Sequence, residues 1–170
     1  MTTQTLCARW LDTPLGRLRI AASSRGLTRV GFEGQRHAPP QDAFPMGDSP
    51  VLDAAERQLT EYFAGERTTF DLPLDPQGTA YQQRVWQALS DIPFGQSTTY
   101  RRIAGKLGSV ARAVGAANGQ NPVSLVVPCH RVVGADGSLT GYAGGLDRKR
   151  WLLRHEGVSV PEQPSLEGIV

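Results

Sequence analysis

The stretch Val123-Ser124-Leu125-Val126-Val127-Pro128-Cys129-His130-Arg131-Val132-Val133 runs an apolar segment straight into a thiol and an imidazole. Val123 to Val127 reads as a buried strand that delivers Pro128-Cys129-His130-Arg131 to the interior. Only the thiolate of a cysteine attacks, and a free cysteine of pKa about 8.5 is only about 3% ionised at neutral pH, so it needs an activating neighbour. Adjacent side chains of a strand point to opposite faces. Cys129 and His130 therefore cooperate only if the backbone bends, as the preceding proline allows, or if a water connects them. Glu156, in Arg154-His155-Glu156-Gly157, is the candidate carboxylate for orienting the imidazole. On the Cys-His pair alone, a buried structural thiol with a chance histidine beside it is the simpler reading.

Upstream of this stretch the chain is helical. Tyr81, Val85, Leu89 and Ile92 form a stripe that ends at Pro93. Thr98 or Thr99 caps a second helix, in which Tyr100, Ile103, Ala104 and Leu107 share a face and which Gly108 terminates. Ser109 is placed to cap a third, Ala-Arg-Ala-Val-Gly-Ala-Ala-Asn over 111–118, rich in small residues around Arg112. Two short helices joined by a tight glycine turn point to a helix-turn-helix, a weak signal by itself. Downstream, Ala135-Asp136-Gly137 is a turn and Gly141-Tyr142-Ala143-Gly144-Gly145 a flexible wall of a site. Without a following Lys-Ser/Thr, that glycine run is not a phosphate loop. A last helix near Leu146 to His155 has Asp147 early and Arg150, Arg154 and His155 late, in keeping with its dipole.

The first third reads as an antiparallel meander: Thr5 to Leu11, Arg17 to Ala22 and Leu27 to Phe32, with turns at Thr13-Pro14-Leu15-Gly16 and Ser23 to Gly26. Residues 34–50 hold four prolines and read as a long surface connection. Ser49-Pro50 opens a helix with Leu52, Ala55, Leu59, Tyr62 and Phe63 on one face, stopped by Gly65. Thr68 to Leu74 could supply another strand. Asp75-Pro76-Gln77-Gly78 links two units, giving boundaries of 1–77, 78–157 and a frayed tail, 158–170.

Charge divides at the same link. Residues 78–157 hold ten Lys and Arg against four Asp and Glu, residues 1–77 eight against ten, and residues 158–170 two acids and no base. A basic second unit can bind a polyanion by releasing phosphate counterions, though a solvated basic surface is common too. With 170 residues, 39% of them hydrophobic, the chain can bury a substantial core. Met1 to Ala21 mixes Arg9, Asp12, Arg17 and Arg19 among its apolar residues, against a secretory or membrane segment. Two cysteines, Cys7 and Cys129, are expected as free thiols in a reducing cytoplasm. The cysteines and histidines lack paired ligand spacing, so no metal site is expected.

Taken together, Asn121-Pro122, Pro128-Cys129-His130-Arg131-Val132, Gly141-Tyr142-Ala143-Gly144-Gly145 and Trp151-Leu152-Leu153-Arg154-His155-Glu156-Gly157 closely resemble the O6-alkylguanine-DNA alkyltransferases. The resemblance is densest from Thr79 to Gly157, and Glu61-Tyr62-Phe63-Ala64-Gly65 with Thr13-Pro14-Leu15-Gly16 resembles the bacterial Ogt-like branch. It implies an α+β protein: a small N-terminal ribonuclease-H-like antiparallel sheet with a helix, then a mostly helical C-terminal domain with a helix-turn-helix.

The activity implied is direct-reversal repair. The alkyl group of O6-alkylguanine, and of O4-alkylthymine, would pass from DNA to Cys129 in one turnover that inactivates the protein, with no cofactor. The partner implied is double-stranded DNA carrying the lesion, met by a cytoplasmic monomer. His130 would take the thiol proton through a water, Glu156 would hold His130, Asn121 would brace the turn before the active-site strand, and Tyr100 would donate towards the leaving guanine. Tyr142, Ala143, Gly144, Leu139 and Val132 would wall the pocket. Arg112 would fill the gap left by a flipped base, on a helix whose Ala111, Ala113, Ala116 and Ala117 allow close approach to the minor groove, with Arg131 also on the DNA side.

Two departures stand out. Tyr100 to Arg112 is about two residues shorter than the family pattern, so the turn between the DNA-binding helices should be tighter. Ala143 replaces a serine of some relatives, which leaves tolerance of bulky adducts open. Three rivals remain at this point: a non-catalytic alkyltransferase-like module, against which Cys129 argues, a cysteine hydrolase using Cys129, His130 and Glu156, and a helix-turn-helix regulator with an incidental thiol.

Overall fold

The structure, a computed structural model, describes residues 5–35 and 45–160. The centre of the surface connection, including His37, and the end of the tail lie outside the described residues.

The N-terminal meander forms as its turns dictate. Strands β1 (Thr5–Thr13), β2 (Gly16–Ser23) and β3 (Leu27–Phe32) pair antiparallel in the order β1-β2-β3. The first hairpin closes with Thr13 opposite Gly16. There the Leu15 N–H donates to Thr13 Oγ1 and Gly16 takes φ +114°, which a side chain would resist. Leu18, Ile20 and Ala22 alternate onto the core face of β2. Against them pack Leu52, Ala55, Leu59 and Tyr62 of helix α1 (Pro50–Phe63), all buried, with Ser49 as N-cap and proline in the first turn. Burying a leucine side chain stabilises by roughly 1.5–3 kcal/mol, and the methyl of Ala55 by correspondingly less.

The C-terminal unit opens with α2 (Ala80–Ser90), held by a capping box between Thr79 and Gln82. A side chain at Gly78 would run into the Trp86 ring, so the link needs glycine there. Two-residue strands β4 (Thr98–Thr99) and β5 (Val132–Val133) pair in parallel and set the framework for α3 (Tyr100–Leu107) and α4 (Ala111–Gly119). Thr99 caps α3 by accepting from the Arg102 N–H, and Gly108 ends it at φ +63°. Helix α5 (Leu146–His155) completes the unit. Trp86 Nε1 donates to the Ala117 carbonyl and ties α2 to the back of α4.

Four expectations need correction. Helix α2 stops at Ser90; Ile92 keeps its place on the stripe, but through a turn in which its N–H donates to Leu89 O. Ser109 does not cap α4. Its hydroxyl pairs with Tyr81 Oη at 2.7 Å, and Val110 stands at the N-cap with no side-chain cap bond. Thr68 to Leu74 forms no strand: Pro73 offers no N–H, and pairing is confined to one bridge of Leu74 with Leu27. Val123 to Val127 is also no strand. Val123 bridges to Val30 of β3, and the chain then turns through Leu125 at φ +73°, a conformation that costs a non-glycine residue roughly 1–2 kcal/mol.

Candidate active site

That buried turn places the thiol. Asn121 holds both sides of it, Nδ2 donating to Val127 O at 2.9 Å and Oδ1 accepting from the Val123 N–H at 3.0 Å. The backbone then tightens into a single 3-10 turn over Cys129–Arg131, so the bend that cooperation between Cys129 and His130 requires is present. Cys129 is 4% exposed and His130 fully buried. Both Cys7 and Cys129 are free thiols.

Glu156 lies at the C-cap of α5 and gathers the site around its carboxylate. His130 Nε2 stands 2.8 Å from Oε2; Arg131 donates from Nε to Oε1 at 2.7 Å and from a terminal nitrogen to Oε2 at 3.1 Å. Burial alone would raise the pKa of this carboxyl, but the hydrogen bonds and charges of His130 and Arg131 together outweigh it and hold Glu156 down to about 2. An ionised carboxylate can only accept, so the proton between it and the imidazole sits on Nε2. His130 Nδ1 is then the lone-pair nitrogen, and it has no hydrogen-bond partner among the described residues. Burial, with the charges of Arg131 and Lys149, lowers the His130 pKa despite Glu156, so the imidazole rests neutral and able to take a proton. Burial raises that of Cys129, against the pull of Asn121, Lys149 and Ser124, so the thiol rests protonated.

Lys149 is a buried cation beside the thiol that sequence reasoning missed. It is fully buried, with Nζ 2.6 Å from both Val132 O and Thr140 O, and burial lowers it to about 8 against the opposing influence of Cys129. The signal was present: Lys149, Leu152, Leu153 and Glu156 are spaced i, i+3, i+4, i+7, so a lysine falls on the apolar stripe of α5.

A cavity of about 280 Å³ opens between α4 and the glycine segment, bounded by Tyr100, Gly115, Gly119, Thr140, Tyr142 and Ala143 among others. Tyr100 Oη donates to Thr140 O at 3.0 Å, which fixes its ring at the rim. Gly144 lies behind the wall; a Cβ there would meet the Tyr142 ring at 2.8 Å and Phe32 at 3.2 Å. Arg148 holds this segment against the meander, donating to Leu15 O and Gly144 O with its guanidinium over Phe32.

Four expected contacts fall elsewhere. Val132 is fully buried in β5 beneath Lys149, and half-buried Leu139 does not border the cavity. Arg131 is 6% exposed and spent on Glu156 and Ile92 O, so it does not face DNA. On α4, Ala111, Arg112 and Ala116 are exposed and Ala113 half-buried, but Ala117 faces inward under Trp86. The open stripe is Arg112, Gly115, Ala116 and Gly119, again at i, i+3, i+4, i+7.

Residues 80–158 match the 6-O-methylguanine DNA methyltransferase, DNA binding domain, and residues 6–76 match its ribonuclease-like domain. The methylated-DNA–protein-cysteine methyltransferase of Mycobacterium tuberculosis H37Rv is 46% identical over 160 residues, covering 93% of this chain and 96% of the relative. This chain belongs to the 6-O-methylguanine DNA methyltransferase family. A second relative of the same name, from Methanosarcina acetivorans, is 45% identical over 86% of this chain and 95% of its own. Among solved structures, M. tuberculosis OGT in complex with DNA superposes with a TM-score of 0.81 at 46% identity, covering 89% of this chain and 92% of that one. The Pyrococcus kodakaraensis methyltransferase, at 22% identity and a TM-score of 0.52 over 89% of this chain and 99% of its own, shares the methyltransferase fold.

Proposed function

We propose that this methyltransferase repairs DNA by direct reversal, moving the alkyl group of O6-alkylguanine, and of O4-alkylthymine, onto Cys129. Family membership supports the reaction class; the observation that carries the site assignment is the buried thiol followed by an imidazole with Nε2 fixed on Glu156 and Nδ1 free. In this reading residues 78–157 bind duplex DNA and perform the transfer, residues 1–77 form the companion domain, and the protein acts as a cytoplasmic monomer. No helix among the described residues is long and apolar enough to cross a membrane.

A guanine stacked in a duplex keeps its O6 away from a thiol that is 4% exposed, so the lesion must be flipped into the cavity beside Tyr100 and Tyr142, at a cost of a few kcal/mol. Arg112, exposed on the small-residue stripe, fills the gap in the stack. The thiol proton passes to His130 Nδ1, directly or through a water, and Asn121 and the Lys149 charge stabilise the thiolate. Sulfur attacks the alkyl carbon; the S–C bond forms as the C–O6 bond breaks. Guanine leaves with the electron pair, assisted by a hydrogen bond from Tyr100, and takes a proton from solvent, to which His130 returns its own. The thioether has no hydrolytic exit, so each molecule acts once.

Intact-mass analysis after incubation with a duplex holding one O6-methylguanine tests this. One added methyl mass, localised to Cys129 with no second turnover, is expected; repeated turnover, or folded protein with unmodified Cys129, overturns it.

A further inference from the structure

Glu156 has a fourth hydrogen-bond donor, and it comes from the other unit. Tyr62 Oη donates to Glu156 Oε2 at 2.5 Å, the same oxygen that holds His130 Nε2. Tyr62 belongs to α1, 94 residues away in sequence, and is 1% exposed. Its backbone is tied to the same helix end: His155 Nε2 pairs with Tyr62 O at 2.7 Å, and the His155 ring lies edge-on to the Tyr62 ring and stacked on Trp151.

We propose that Tyr62 is a positioning residue of the alkyl-transfer site, through which the N-terminal sheet-and-helix unit completes the relay that serves Cys129. This rests on the relay of Cys129, His130 and Glu156 set out above. Arg131, His130 and Tyr62 together meet the carboxylate with four donors, one of them supplied by α1. The phenol is well suited to the place. Burial and the Glu156 charge raise its pKa far above the physiological range, so it remains a neutral donor.

The Tyr62 hydroxyl does two things. It fixes Oε2 in the plane that sets the imidazole, and it withdraws electron density from that oxygen, which keeps the carboxylate from over-stabilising protonated His130. His130 is faced by Cys129 and Arg131 on its own turn, by Lys149 and Glu156 from α5, and by Tyr62 from α1 behind Glu156, with Tyr142 also near the carboxylate. Removing the hydroxyl leaves a more basic Glu156 and hence a more basic His130, so a larger share of the imidazole is already protonated below neutral pH and unable to accept the thiol proton.

The test is the pH dependence of single-turnover alkylation by free O6-benzylguanine, which needs no DNA. Tyr62→Phe should slow the reaction about tenfold at pH 7 and move the acid limb of the rate profile to higher pH. Leu59→Val, on the same helix face, should lower the melting temperature yet leave that limb in place. Wild-type protein that gains no alkyl mass at Cys129 from either the free base or a duplex holding one O6-methylguanine overturns the function proposed above; where only the duplex reacts, the same pH profile is read on it. Wild-type protein that reacts, beside a folded Tyr62→Phe variant with an unshifted limb and a rate within twofold, overturns only the role of Tyr62. A limb moved equally by both variants also overturns it, because packing alone would then account for the shift.

Discussion

The carboxylate of Glu156 and the outer face of α4 lie in one small unit and are built in opposite ways. Around Glu156 every interaction is buried and multiply bonded, with His130 and Arg131 almost fully enclosed. The face of α4 carries Arg112, Gly115, Ala116 and Gly119, open on one side and backed by the buried Val114 and Ala117, the latter bonded through its carbonyl to Trp86. A proton relay must be fixed before the substrate arrives, because misplacement by an ångström can cost a hundredfold in rate. A surface proposed to approach a duplex closely is served by small side chains beside one projecting cation, with rigidity in its backing. Disturbing the first region should damage chemistry and stability together; disturbing the second should damage the encounter with DNA alone.

Acid should break the first region most. Glu156 has a folded pKa of about 2 against an ordinary 4.5, so its stabilising contribution is complete above 4.5 and disappears as pH falls towards 2. A depression of that size corresponds to about 3 kcal/mol. His130 acts at higher pH. Its folded pKa is lowered from 6.5, so the unfolded chain binds the extra proton and stability already declines as pH drops below 6.5. Urea unfolding from pH 8 to pH 3 should therefore show two successive losses, the lower one removed in Glu156→Gln. A stability flat between pH 8 and pH 5 would contradict the neutral buried imidazole.

Legibility in the sequence follows the same division. Caps and periodicity foretold the meander, Ser49-Pro50 opening α1, Thr99 opening α3 and Gly108 closing it, because each depends on local backbone chemistry. Local reasoning failed at Val123 to Val127, where apolar content cannot distinguish a strand from a buried turn whose backbone is satisfied by a distant asparagine side chain. It failed likewise for Arg131, since a cation beside the nucleophile is equally plausible facing phosphate or an internal carboxylate until α5 is seen to bring Glu156 back. The pairing of Glu156 with His130 was anticipated from residue type and the family resemblance. Tyr62 was read as a core residue, which it is; its hydroxyl's partner depends on how the two units pack.

On the open side, Arg112→Ala should cut repair of a lesion in duplex DNA by ten- to a hundredfold while changing the reaction with free O6-benzylguanine by less than twofold. The exposed guanidinium touches nothing in the relay, so its loss is felt only when a base must be held out of the stack. Paired single-turnover rates on the two substrates measure the split. Equal losses on both would mean that α4 and the chemical centre are coupled, and the contrast between the regions would collapse.

The smallest effect probes what backs the open face. The connection Gly108-Ser109-Val110 is short, α4 lacks a side-chain cap, and the turn is instead braced from α2 by Tyr81 on Ser109 and by Arg84, whose guanidinium donates to Leu107 O. Ser109→Ala removes one partly buried hydrogen bond, worth about 1 kcal/mol or less. Denaturant unfolding should register that loss, and fluorescence anisotropy on a duplex should show affinity reduced two- to fivefold as α4 loses its set. The free-base rate should not move, because neither Tyr81 nor Ser109 reaches the carboxylate. If duplex affinity is unchanged while stability falls, the brace serves folding alone, and the shortened turn is rigid enough by its glycine and its backbone hydrogen bonds.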